Sequence, residues 1–125
     1  MPQPQKSRLA LVVDDSMLIR HTVSRFLESR GYRIERATNG AEALEMLKTL
    51  QPDLILTDIQ MPKLSGTELI TALKKNPQTV GIPIVILSGR PREQGGIDDS
   101  RACFCVHKDI DIEEQLAKAL DALPE

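Results

Sequence analysis

The stretch LALVVDDS, residues 9–16, joins a continuous apolar run to two adjacent aspartates. Similar strand-like runs recur at residues 32–37, 53–57, 82–87 and 102–106, and helix-like segments separate them. Four of the five runs are almost wholly apolar, which is typical of parallel strands that helices cover on both faces. This pattern therefore predicts an α/β fold, a three-layer sandwich in which strand and helix alternate five times.

Helix boundaries are marked by specific residues. The first predicted helix, Met17 to Arg30, is followed by Gly31, a residue that suits a helix C-terminus. Three later helices begin with capping-box spacing, at Asn39 and Glu42, Ser65 and Glu68, and Asp111 and Glu114. The Asn76-Pro77 pair is expected to end the helix that Ser65 begins.

The segment between the fourth and fifth strands is less regular. It contains Pro91 and the pair Gly95-Gly96, and each glycine costs a helix about 1 kcal/mol relative to alanine. We therefore expect a short or irregular fourth helix. Residues 1–7 are expected to form a flexible tail, and residues 8–125 a single domain without a separate output domain.

Composition excludes several classes of partner. The chain has 125 residues, with 16 Lys and Arg against 18 Asp and Glu and a net charge of −2, which argues against direct nucleic-acid or membrane binding. No apolar stretch is long enough to span a bilayer, and residues 1–7 do not resemble a signal peptide. We expect a cytoplasmic protein.

The two cysteines, Cys103 and Cys105, would lie on the same face of one predicted strand. This spacing favours two small core residues over a disulfide.

Polar residues follow the strands at one predicted edge of the sheet, because all parallel strands end there. They are Asp14 and Asp15 after the first strand, Asp58 after the third, Ser88 after the fourth and Lys108 after the fifth. Close carboxylates repel by roughly 4 kcal/mol per pair at an effective dielectric of 20, so such a cluster implies a cation or a raised pKa. All-oxygen ligands suit Mg²⁺, and Mg²⁺ with a lysine would bind a phosphoryl group.

Taken singly, each of these residues has an ordinary explanation. Asp15 or Ser16 could cap the first helix, Asp58 and Ser88 could be turn residues, and Lys108 could be a surface charge. Their joint placement at four strand ends favours a site. A carboxylate in it could act as a nucleophile toward phosphorus, although spacing alone does not identify which one.

These motifs resemble the receiver domain of two-component response regulators over almost the whole chain. The resemblance is carried by VVDDS (12–16), TNGAEAL (38–44), DLILTDIQMPKLSG (53–66), PIVILSG (83–89) and VHK (106–108). It implies a flavodoxin-like sheet with strand order 2-1-3-4-5. It also implies a histidine kinase or phosphotransfer protein as phosphodonor and an unknown downstream protein as output partner. The domain would catalyse only its own phosphorylation and dephosphorylation.

The resemblance also assigns roles to individual residues. Asp58 corresponds to the phosphoacceptor, Asp15 to a direct Mg²⁺ ligand, Asp14 to a ligand acting through water, and the backbone carbonyl of Gln60 to a further ligand. Two more residues, Ser88 and Lys108, would bind oxygens of the transferred phosphoryl group.

The chain departs from the family's pattern on the side that reports phosphorylation. Cys105 occupies the usual aromatic position, Asp109 stands where proline is common, and the segment from Ser88 to Lys108 is shorter than usual. Two hypotheses therefore stay open. One is a receiver controlled by phosphorylation, and the other is a receiver-like interaction module that acts independently of it.

Overall fold

The structure is a computed structural model that describes residues 8–59, 64–88, 104–107 and 111–122. Its elements in chain order are β1 Arg8–Val13, α1 Met17–Ser29, β2 Tyr32–Ala37, α2 Gly40–Met46, β3 Leu54–Asp58, α3 Gly66–Lys75, β4 Ile84–Ser88, β5 Phe104–His107 and α4 Ile112–Ala122. The predicted tail and the predicted irregular helix between β4 and β5 lie outside the described residues.

The five strands form one parallel sheet in the order β2-β1-β3-β4-β5, which confirms the predicted fold class and topology. In the register between β1 and β3, Ala10 pairs with Leu54 and Val13 with Thr57. The residues that follow Val13 and Thr57 therefore emerge side by side at the carboxyl edge of the sheet.

Each face of the sheet has its own core, because successive side chains on a strand point to opposite faces. On one face, Ala10 and Val12 of β1 pack with buried residues of α1 and α4, including Leu27 and Leu116. On the other face, apolar residues of the strands pack against apolar residues of α2 and α3. The buried residues of this second core, from strands and helices together, are Leu11, Val13, Ala37, Ala43, Ile55, Ile59, Leu69, Ile70, Leu73, Ile84 and Ile86. The result is the predicted three-layer sandwich.

Local signals start and stop the helices where the sequence indicates. Ser65 and Glu68 form a complete capping box at the start of α3, and Asn76 caps its end. Gly31 follows α1 with a φ of 92°, a conformation that favours glycine. None of the helices in the described part of the chain is long and apolar enough to cross a membrane.

The start of α2 differs in detail from a capping box. The Asn39 side chain accepts a hydrogen bond from the Glu42 N–H at 2.8 Å, as the spacing predicts. The Glu42 carboxylate, however, accepts hydrogen bonds from the backbone N–H and hydroxyl of Thr38, not from the Asn39 N–H. Glu42 thus binds the residue before the N-cap instead of the N-cap itself, and so connects the end of β2 to the start of α2.

Candidate functional site

Three aspartates converge at the carboxyl edge of β1 and β3. Asp14 and Asp15 directly follow β1, and Asp58 is the last residue of β3. One carboxylate oxygen from each lies within 4.8 Å of the others. Asp14 and Asp58 are buried, whereas Asp15 is exposed to solvent. The predicted convergence of these three residues is therefore present in the structure.

The charge and chemistry of this cluster suit a divalent cation. Carboxylates about 4 Å apart repel by roughly 4 kcal/mol at an effective dielectric of 20, and burial of two of them limits screening by water. A few carboxylate oxygens beside solvent match the preference of Mg²⁺, which keeps several of its waters. Asp15, the exposed member of the three, would offer such a hydrated ion a ligand in contact with solvent.

Backbone and side-chain hydrogen bonds fix Asp14 from several directions. Its N–H donates to the carbonyl of Ala37 at the end of β2, at 3.1 Å. Its Oδ1 accepts from the Ser16 N–H at 2.9 Å, and its carbonyl accepts from the Arg20 guanidinium at 2.7 Å. The turn from β1 into α1 is therefore held by three hydrogen bonds, one to β2, one within the turn and one from α1.

Ser16, rather than Asp15, caps α1. Its side-chain oxygen accepts a hydrogen bond from the Ile19 N–H at 3.3 Å, and its backbone is extended as a capping residue requires. Of the two candidates for the cap, the serine takes the role. The Asp15 carboxylate instead joins the acidic cluster.

Arg20 is a residue of the site region that sequence reasoning missed. It lies one turn into α1, where an arginine is ordinarily interpreted as a solvated surface charge, and its partner is a backbone carbonyl. Backbone acceptors leave no mark on the sequence, so nothing there distinguishes Arg20 from Arg25, the other arginine of α1. In the structure it brings a cation to the turn that carries two of the three acids.

The other predicted site residues are described only in part. Ser88 is the last residue of β4 and pairs with His107 of β5, so its backbone lies at the same edge as the aspartates. Gln60 and Lys108 lie outside the described residues. Cys105 pairs with Ile86 and packs, half-buried, against the core on the α2 and α3 face.

Comparison with known proteins gives the same fold. Residues 10–121 match the response regulator receiver domain family. The chemotaxis response regulator CheY4 of Vibrio cholerae superposes with a TM-score of 0.81 at 29% identity. The match covers 94% of this chain and 100% of the CheY4 chain. The response regulator TrrA of Thermotoga maritima, in complex with Mg²⁺-BeF, gives a TM-score of 0.78 at 30% identity, with 93% and 99% covered.

Curated relatives include both long and short proteins. The gliding motility regulatory protein of Myxococcus xanthus is 38% identical over 96% of this chain, but the match spans only 16% of that protein. The transcriptional regulator RpaA of Synechocystis is matched over 46% of its length. Protein PilH of Pseudomonas aeruginosa is 31% identical, with 90% of this chain and 94% of PilH covered. From fold, acidic cluster and family match together, the chain belongs to the response regulator receiver domain family of two-component signalling systems.

Proposed function

We propose that Asp58 accepts a phosphoryl group from a phosphohistidine on a histidine kinase or phosphotransfer protein, and that the phosphorylated domain signals through protein contacts. The observation that carries this proposal is the meeting of Asp14, Asp15 and Asp58 within 4.8 Å at the end of β3. We place the protein in the cytoplasm, with residues 8–125 acting as one receiver domain.

Mg²⁺ would be held by the carboxylates of Asp15 and Asp58, by Asp14 through a water molecule, and by the Gln60 carbonyl. When bound, it would neutralise the charge of the phosphoryl group that approaches Asp58. The Asp58 carboxylate oxygen then forms a bond to phosphorus while the phosphorus–nitrogen bond breaks and the donor's imidazole leaves. Ser88 and Lys108 would bind two of the phosphoryl oxygens, as a hydroxyl donor and a cation.

The surface beside Asp15 supports a protein as the phosphodonor. Met17 and Leu18 open α1 with 74% and 72% of their surface exposed. Both lie within three residues of Asp15, so a partner that brings a phosphoryl group to Asp58 would approach next to them. Burying two large apolar side chains would favour its binding by about 25 cal/mol per Å² of apolar area.

The proposed output is a change of conformation near β4 and β5. An aspartyl phosphate adds charge at the edge where β4 ends, and new hydrogen bonds to it can bias a two-state element. Cys105 offers no ring for such a switch, so the bias would act through the backbone of β4 and β5. The phosphorylation-independent module remains the competing hypothesis for this reason.

The direct test is intact-mass spectrometry after incubation with Mg²⁺ and acetyl phosphate. Wild-type protein is expected to gain one phosphoryl group, and Asp58→Asn none, because an amide cannot form the acyl phosphate. Chelation of Mg²⁺ should prevent the gain in wild type. An unmodified wild-type mass under these conditions would exclude Asp58 as a phosphoacceptor.

Hydrogen exchange distinguishes the two hypotheses about output. The phosphorylated protein should show altered amide exchange in β5 and α4 relative to the unmodified protein, because β5 pairs with β4 up to Ser88 and α4 packs against β5. If phosphorylation occurs but exchange in β5 and α4 is unchanged, the phosphorylation-independent interaction module is the better account.

A further inference from the structure

Gly66, the first residue of α3, lies against the backbone of the proposed phosphoacceptor. A Cβ atom at this position would come within 2.0 Å of the Asp58 carbonyl oxygen and 2.8 Å of the Ile59 Cα. The Gly66 N–H donates to the Ile59 carbonyl at 2.8 Å. Both close atoms are backbone atoms at the end of β3, so no rotation of a side chain would relieve the contact.

Gly40, the first residue of α2, makes a second close approach, to Leu64. A Cβ there would come within 2.6 Å of the Leu64 carbonyl oxygen, and the Gly40 N–H donates to that oxygen at 3.2 Å. Gly40 is itself fixed, since Asn39 caps α2 and Glu42 bonds to Thr38. The start of α2 therefore positions Leu64, two residues before Gly66.

Asp58 is held on another side by Thr57. The buried Thr57 hydroxyl donates to the Asp58 carbonyl at 2.9 Å, so this carbonyl is in contact with both Thr57 and Gly66. Its position depends on how closely α3 can approach the strand. Any residue larger than glycine at Gly66 must separate α3 from the end of β3.

We propose that Gly66 and Gly40 are positioning residues, which set the place of the Asp58 backbone relative to Asp14 and Asp15. The inference rests on the proposed function for its consequence in phosphorylation, although the geometry itself is independent of it. A displacement of about 1 Å at a reacting group can lower a rate by about 100-fold. The separation of the Asp58 carboxylate from the other two acids is therefore expected to be sensitive to both glycines.

The experiment compares Gly66→Ala with Gly81→Ala, a matched control at a glycine where an added Cβ meets nothing within 4 Å. Three quantities are measured: thermal unfolding, the Kd for Mg²⁺ by calorimetry, and the rate of phosphorylation by acetyl phosphate at saturating Mg²⁺. We expect Gly66→Ala to raise the Kd about tenfold and to lower the rate by about 100-fold. Gly81→Ala should stay close to wild type in both. A folded Gly66→Ala protein with wild-type affinity and rate would overturn the proposal.

Gly40→Ala keeps the proposal testable if Gly66→Ala does not fold. Its added Cβ contacts Leu64 and not Asp58, so the expected loss of Mg²⁺ affinity and rate is smaller than for Gly66→Ala. The amide resonances of Asp58 and Ile59 should nevertheless shift, relative to Gly81→Ala. Unchanged resonances in folded Gly40→Ala would refute the link from α2 to Asp58. Resonances and Mg²⁺ affinity need no phosphoryl transfer, so they test the inference even if wild type fails to accept phosphate.

Discussion

Asp53 and Asp58 stand at opposite ends of β3, and their surroundings differ in kind. The Asp53 carboxylate accepts a hydrogen bond from the Leu9 N–H at 2.8 Å, and its own N–H donates to the Leu9 carbonyl at 2.7 Å. Asp58 instead lies with the carboxylates of Asp14 and Asp15. The same residue type thus joins two strands at one edge and creates repulsion at the other. The three carboxylates at the carboxyl edge repel one another and so do not stabilise the fold. Their placement together therefore indicates a functional site.

Of the aspartates at the two ends of β3, the one at the amino edge is expected to have the larger effect on stability. Asp53→Ala leaves the buried Leu9 N–H without its acceptor and should lower the free energy of unfolding by about 2 kcal/mol. Urea denaturation of wild type and variant measures the difference. Asp53→Asn keeps an acceptor oxygen and should lose less. Equal losses in the two variants would show that the hydrogen bond is not the cause.

At the carboxyl edge, the expected sign is reversed. Asp58→Asn removes one of three like charges and should raise the free energy of unfolding by about 1 kcal/mol in the absence of divalent ions. Mg²⁺ at ten times its Kd should stabilise wild type by about 1.4 kcal/mol and the variant by less. Thermal unfolding with and without Mg²⁺ measures both. A variant that is less stable than wild type without Mg²⁺ would contradict the repulsion.

Arg20 gives an intermediate effect, because it offsets part of that repulsion. Arg20→Ala removes both a donor to the Asp14 carbonyl and a nearby cation, and should cost about 1 kcal/mol. Arg20→Lys keeps the charge and should recover part of the loss. Chemical denaturation at low and high salt separates the two contributions, because salt screens the charge. A loss that salt leaves unchanged would assign the whole effect to the hydrogen bond.

The smallest expected effect on stability concerns Leu18. Leu18→Ser should change the free energy of unfolding by less than about 0.5 kcal/mol, since the side chain is mostly exposed. Phosphorylation by a histidine kinase should nevertheless fall, while phosphorylation by acetyl phosphate should not. Val80→Ser is the matched control, an exposed apolar residue that precedes β4 at the opposite edge. Equal kinase rates for the two variants would exclude the surface beside Asp15 as a docking site.

Much of this architecture could be predicted because it depends on side-chain type. Apolar runs indicated the strands, the Ser65 and Glu68 spacing indicated the start of α3, and strand ends brought Asp14 and Asp58 together. Apart from the helix caps, contacts to backbone atoms could not be predicted. Arg20 bonds to a carbonyl, and Gly66 is required by the closeness of another chain segment. Such contacts depend on tertiary distances that no pattern of residue types records.

The pairing of Val13 with Thr57 has a consequence for assembly of the protein. A slip of one residue between β1 and β3 would separate the acid pair from Asp58. The same slip would turn every apolar side chain of one strand toward the wrong helix layer. An arrangement with a misaligned site would therefore also have poorly fitting side chains in both cores and would be less stable. The packing of β1 against β3 and the alignment of the three aspartates therefore depend on the same strand register.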